Sequence, residues 1–150
     1  MVFVYGCSEP RVKYGSSQLK RKEWNGGTWT EGRYRSFITS TLRSGARRWP
    51  PKYETLNLAK TEKKVNTKTG RIAQHYTCNG CGGEFTAKDV QVDHIEPVVD
   101  PNKGFISWDV FIERLFCERS NLQVLCKTCH LLKSNQEKQE KKNASNQSKL

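Results

Sequence analysis

The sequence predicts an α+β domain stapled by a four-cysteine metal site and preceded by a basic, mainly helical N-terminal arm. Three observations carry that expectation. Cys78-x-x-Cys81 and Cys126-x-x-Cys129 form two close pairs, and each pair offers two thiolates from one tight turn, the donor set of a tetrahedral zinc site. Alternating and helical apolar patterns succeed one another between the pairs, so that long interval holds structure of its own. The chain is also strongly basic, with 26 Lys and Arg against 15 Asp and Glu for a net charge of +11. Residues 1–77 hold 16 basic and 5 acidic residues, whereas residues 78–130 hold 5 and 8, so the excess lies outside the cysteine-bounded segment.

A chain of 150 residues fits one ordinary domain, or a small domain with an appended arm. With 35% hydrophobic and 27% charged residues the core is thin, and a structural metal is the expected help. A basic arm beside a mildly acidic centre suits a polyanion such as nucleic acid better than a membrane. The apolar run in Met1-Val-Phe-Val-Tyr-Gly-Cys7 is too short for a signal peptide, and no stretch is long enough to span a bilayer. A cytoplasmic location is therefore expected, and in a reducing compartment cysteine pairs spaced by two are metal ligands before they are disulfides. Cys117 reads as a small buried side chain in a helical stretch, and Cys7 receives no functional reading.

Along the chain, the first 27 residues read as an irregular arm, with Gly15, Gly26 and Gly27 among scattered basic residues. Thr28-Trp-Thr-Glu31 has the spacing of a capping box, so a helix starts near Thr28 to Thr30, carries Phe37, Ile38 and Leu42 on one side, and ends at Pro50-Pro51. A second short helix is expected over 55–64 from Leu56, Ala59 and Lys60. Lys64 to Ala73 reads as a hairpin turning at Gly70, its second strand running into Tyr76 and delivering Cys78. Beyond the glycine-rich first knuckle, Val90 to Ile95 alternates as a strand closed by Pro97. Ser107 to Arg119 is an amphipathic helix whose Trp108, Phe111, Ile112, Leu115 and Phe116 stripe is core. Leu122 to Leu125 is a second strand leading into Cys126, and a final helix runs from 128 to about 142. The boundaries expected are an arm over 1–72, the chemical domain over 73–142 and a polar tail over 143–150.

Hydrolysis of a phosphodiester needs a base to activate water and a cation to stabilise charge on the phosphate. His94, ending a strand, is a suitable base near neutral pH. Asp93 offers hard oxygen to a divalent cation, although strand alternation points it to the opposite side unless the strand twists. His130, in the first turn of the last helix, is a second ligand, and the Asn121 amide can bridge to the backbone beside His94. His75 reads as structural. Cys126-Lys-Thr-Cys129-His130 also spells a c-type haem attachment motif, a reading that leaves Cys78 and Cys81 idle.

Asp93-His94-Ile95-Glu96-Pro97, followed by Asn121 and His130, resembles the HNH endonucleases. Asn121-Leu-Gln-Val-Leu-Cys126-Lys-Thr-Cys129-His130-Leu-Leu-Lys133 is similar to the cysteine-bearing branch of that family, and the likeness covers about residues 76–140. Arg35-Ser-Phe-Ile through Arg47-Arg-Trp-Pro-Pro51 also looks like the leader of small phage-encoded members, which implies a homing-type or genome-processing enzyme. The resemblance implies a ββα-metal (His-Me finger) core in which His94 is the general base and Asn121 orients it. Asp93 and His130 would bind one catalytic Mg²⁺ or Mn²⁺, and Cys78, Cys81, Cys126 and Cys129 would bind a structural Zn²⁺. It implies cleavage to 5′-phosphate and 3′-hydroxyl ends. Some members carry another histidine four residues after the His130 position, where this chain has Ser134, which favours an oxygen-rich shell with water.

Arg43, Arg47 and Arg48, with Lys20, Arg21, Lys22, Lys60, Lys63 and Lys64, are expected to grip the backbone of double-stranded DNA outside the site. Trp24, Trp29 and Trp49 interleave with these residues and are expected to pack within the fold. The function expected is a metal-dependent nuclease acting as a monomer or dimer, one site nicking a strand and two cutting both. The alternatives are a zinc-dependent DNA-binding module without cleavage and a zinc-stapled protein-interaction domain.

Overall fold

A computed structural model describes residues 23–147, so Cys7, Lys20, Arg21, Lys22 and most of the irregular arm lie outside the described residues. The chain divides into two units, one ending at Phe37 and one beginning at Ile38. In the first, Thr30 caps helix α1 (Glu31–Ala46) by accepting the Arg33 N–H at 3.2 Å. The cap falls at the late end of the expected range Thr28 to Thr30, and the Thr28 hydroxyl is engaged with Asn25 instead, accepting from Nδ2 at 2.9 Å and donating to the carbonyl at 2.7 Å. Trp24 stacks on Tyr34 with centroids 3.5 Å apart, and Trp29 meets Phe37 edge-on. Both tryptophans pack within the unit.

In the second unit α1 ends at Ala46, short of the expected stop at Pro50-Pro51, and the two prolines instead open α2 (Pro50–Leu58). The first helical positions need no N–H donor, so proline fits there. The helix expected over 55–64 is corrected accordingly: α2 ends at Leu58, and Lys60–Val65 is strand β1. It pairs antiparallel with β2 (Ile72–Thr77), which pairs in turn with a three-residue β3 (Glu84–Thr86) that the sequence reading missed. Gly70, at φ +67°, supplies the left-handed position of the hairpin turn. The expected boundary at residues 72–73 thus falls inside this hairpin.

The second sheet is a two-stranded antiparallel pair, β4 (Val90–His94) and β5 (Leu122–Cys126), with Asp93 opposite Gln123 and His94 opposite Leu122. Between them lies α3 (Trp108–Leu115), capped by Ser107, whose oxygen accepts the Val110 N–H. It stops four residues earlier than Arg119, and Phe116 is its C-cap. The Cys117 carbonyl beyond that cap accepts the Trp49 indole N–H at 2.7 Å, while the same indole lies edge-on to Phe116. Cys117 therefore follows the helix instead of lying within it. After β5 the chain passes without a break into α4 (Lys127–Gln147), which extends through much of the expected tail.

Two apolar clusters hold these pieces. Ala46, Val98, Phe111 and Leu115 form one, with Leu42, Phe105, Trp108 and Phe116 packed around them, so the part of α1 within the second unit shares a core with α3. Cys78, Leu125 and Cys126 form the other, with Phe85 and Cys129 against it. The second cluster is built largely of cysteine side chains. The described residues thus form a mixed α+β fold with small antiparallel sheets, four α-helices and a cluster of four cysteines.

Candidate functional site

β2 runs into Cys78 and β5 ends on Cys126, so two strands deliver the buried half of the cysteine cluster. Cys81 completes the first knuckle, and Cys129 sits in the first turn of α4. The four sulfurs all lie within 4.8 Å of one another and could hold a metal ion such as zinc. Their convergence gives Cys78 and Cys81 the role that haem attachment would deny them. Backbone donors are already aimed at the sulfurs: Gly80 and Cys126 donate to Cys78 Sγ at 3.3 and 3.1 Å, and Cys129 donates to Cys126 Sγ at 3.4 Å. Burial pushes the Cys78 thiol up, but the N–H groups of Cys126, Cys81 and Gly80 outweigh it and bring the thiol down to about 6. Hydrogen bonding with Cys126, then burial and the other two sulfurs, pushes Cys129 up to about 12. The N–H groups aimed at Cys78 Sγ favour its thiolate, the form in which a cysteine binds a metal ion.

A second group lies between β4 and α4. Asp93 Oδ1 is 3.8 Å from His130 Nε2, and Asp93 Oδ2 is 2.9 Å from Lys133 Nζ. Oδ2 is buried and has no hydrogen-bond partner among the described residues, so the Lys133 contact is an ion pair without hydrogen-bond geometry. Lys133 Nζ donates to the His94 carbonyl at 2.6 Å and to Glu137 Oε1 at 2.8 Å. Burial pulls the Lys133 ammonium down, but Glu137 and Asp93 outweigh it and hold the group above the usual lysine range. Sequence reasoning gave Lys133 no role; its spacing of four from Glu137 was visible, its long-range partners were not.

The His94 ring turns to the C-terminal end of α3, where Nε2 is 3.2 Å from the Leu115 carbonyl. A carbonyl only accepts, so Nε2 carries the proton and the lone pair sits on Nδ1. Burial is the chief cause holding the imidazole below its ordinary range, with the Lys52 and Arg43 charges adding to it against Leu115 and Asp93. Strand alternation separates the two side chains: Asp93 meets His130 and Lys133, whereas His94 meets Leu115. Asn121 extends the β4–β5 pairing past its last residue pair. Its carbonyl accepts the Ile95 N–H, its Oδ1 accepts the Glu96 N–H at 2.8 Å, and its Nδ2 donates to the Glu96 carbonyl at 3.3 Å. The amide therefore fixes the backbone just beyond His94.

The basic residues take several settings. Arg43 lies over the Phe111 ring, 5.7 Å from its centroid. Arg47 and Arg48 are exposed at the end of α1, and Lys60 and Lys63 are exposed on β1. Lys64 is ion-paired with Glu84. Lys52, on α2, is a half-buried cation near His94 that the sequence did not single out; burial is the main cause lowering it. His75 is buried, with Nδ1 donating to the Ala73 carbonyl at 3.0 Å, in keeping with a structural role. No helix among the described residues is long and apolar enough to cross a membrane. Comparison with family models, characterised proteins and solved structures finds no match to this chain.

Proposed function

We propose that this chain is a metal-dependent endonuclease of the HNH type that hydrolyses phosphodiester bonds in double-stranded DNA. In this reading Cys78, Cys81, Cys126 and Cys129 hold a structural Zn²⁺, and Asp93 and His130 hold Mg²⁺ or Mn²⁺. The observation that carries it is the Asp93–His130 pair. Two ligands each about 2.1 Å from one cation are separated by roughly 3.0 Å at right angles and 4.2 Å when opposite, and 3.8 Å falls inside that span. His94 closing β4, and His130 in the first turn of the α4 helix that follows β5, support the reading.

When bound, the cation supplies Lewis-acid stabilisation of the phosphate and of the leaving oxygen. The protein's own part is positional. Leu115 fixes the tautomer of His94, leaving Nδ1 free to accept a proton from water, and burial keeps that nitrogen unprotonated at neutral pH. Asn121 locks the turn after His94 through both polar atoms of its amide. Arg47, Arg48, Lys60 and Lys63 give an exposed cationic surface that neutralises phosphates without reading bases. The core segment is itself net acidic and needs that help.

The test is relaxation of supercoiled plasmid by the zinc-loaded chain with Mg²⁺ or Mn²⁺, beside His94→Ala. Cleavage by the wild type and loss of at least ~100-fold in the variant are expected for a missing general base. A variant as active as the wild type would remove His94 from the chemistry. DNA binding without cleavage by either protein would leave a zinc-dependent binding module.

A further inference from the structure

We propose that Lys133 is a positioning residue of the Asp93–His130 site, a clamp that fixes which carboxylate oxygen faces the cation. The proposal rests on the reading of Asp93 and His130 as cation ligands. Lys133 Nζ has three oxygens around it: the His94 carbonyl at 2.6 Å, Glu137 Oε1 at 2.8 Å and Asp93 Oδ2 at 2.9 Å. The His94 carbonyl and Glu137 accept hydrogen bonds from the ammonium, and Asp93 Oδ2 is held beside them as an ion pair. The Lys133 side chain is only 25% exposed, which leaves little of it for substrate. Two of the three oxygens belong to consecutive residues of β4 and the third to α4, so one group ties the strand that bears Asp93 to the helix that bears His130.

The geometry dictates the consequence. With Oδ2 held by Lys133, a carboxylate rotation that would exchange its two oxygens is blocked, and Oδ1 stays 3.8 Å from His130 Nε2. The bond to the His94 carbonyl fixes the peptide that follows the candidate base, between His94 and Ile95. The charge balance permits this arrangement. Two carboxylates, Asp93 and Glu137, against one ammonium leave one negative charge, so the clamp does not cancel the attraction for a dication. Partners that orient a metal ligand from outside the coordination shell typically change affinity or activity by ~10–100-fold when removed.

The experiment is titration of the zinc-loaded full chain with Mn²⁺, followed by the loss of free-ion electron paramagnetic resonance signal. Lys133→Met, Lys133→Arg, Asp93→Ala and His130→Ala are compared with the wild type. Lys133→Met is expected to weaken Mn²⁺ binding by ~10–100-fold and Lys133→Arg to recover most of it, with zinc content unchanged. If the Met variant does not fold, Lys133→Gln, which still donates to one oxygen, supplies the measurement with a smaller loss expected. Affinity equal to wild type overturns the clamp. So does tighter binding, which would mean that the ammonium only repels the ion. Mn²⁺ binding that ignores Asp93→Ala and His130→Ala overturns the cation site itself and the clamp with it, so the two failures are told apart within one data set.

Discussion

Gly80→Ala isolates packing at the cysteine cluster from every other effect. A Cβ at position 80 would lie 2.9 Å from Cys129 Sγ, 3.0 Å from Cys129 Cβ and 3.4 Å from Leu125 Cδ2, well inside the ~3.5–4.0 Å of an ordinary carbon contact. None of these atoms is the loose end of a long side chain. Leu125 is buried and Cys129 is a member of the cluster, so something essential must move. Overpacking of this sort costs about 1–3 kcal/mol. If Cys129 absorbs it, zinc affinity falls by about 5- to 150-fold at ~1.4 kcal/mol per tenfold. Gly70→Ala is the matched control. Its φ of +67° strains any side chain, but nothing lies within 4 Å of the new Cβ, so it should cost about 1–2 kcal/mol of stability and leave zinc affinity alone. The assay is competition for zinc against a chromophoric chelator, with thermal unfolding run in parallel. The reasoning fails if Gly80→Ala binds zinc as tightly as the wild type, or if Gly70→Ala weakens zinc to the same degree.

Four further outcomes are expected. The acid limb of cleavage should lie below the ordinary imidazole range, because burial lowers His94 and its lone pair survives to lower pH; a rate–pH profile whose limb falls above ~6.5 contradicts this. Asn121→Ala should slow cleavage by at least ~10-fold, while Asn121→Asp, which still accepts from Glu96 N–H but cannot donate to its carbonyl, should fall between; equal rates for the two variants would disconnect that bridge from activity. Thr86→Val should return the Asp89 carboxyl toward its usual range, since the Thr86 hydroxyl and then Lys127 hold it low. The stability that Asp89 lends is present above its unfolded value and is lost as pH falls through the folded one, and carboxyl titration followed by NMR checks the direction. Arg47→Ala with Arg48→Ala should reduce the slope of log affinity against log salt by ~2, and an unchanged slope would take both residues off the duplex.

The parts of the site written in local spacing were legible from sequence. The two cysteine pairs lie together, and the strands ending at His94 and Cys126 pair in register, because alternation and knuckle spacing are short-range signals. β1 was misread for the converse reason. Lys60 to Val65 is an edge strand lying largely in solvent, so it carries no alternation, and only pairing with β2 makes it a strand. Pro50-Pro51 was read as a stop alone, although proline also starts helices. The Cys117 carbonyl just past the early end of α3 is bound by Trp49, 68 residues away, a contact no local pattern reveals. Lys133 was invisible as a clamp because its partners on β4 come from the far side of α3 in sequence.

Cys129 and His130 are adjacent on the first turn of α4, one reaching the sulfur cluster and the other Asp93. Their α-carbons are therefore a fixed ~3.8 Å apart, and the two centres share a covalent axle. An ion of larger radius seated among the sulfurs, such as cadmium, would turn the axle and shift the imidazole beside it without any mutation. Exchange of an ion held by the four cysteines would thus offer a dial on the Asp93–His130 pair, readable as a chemical-shift change at the His130 ring.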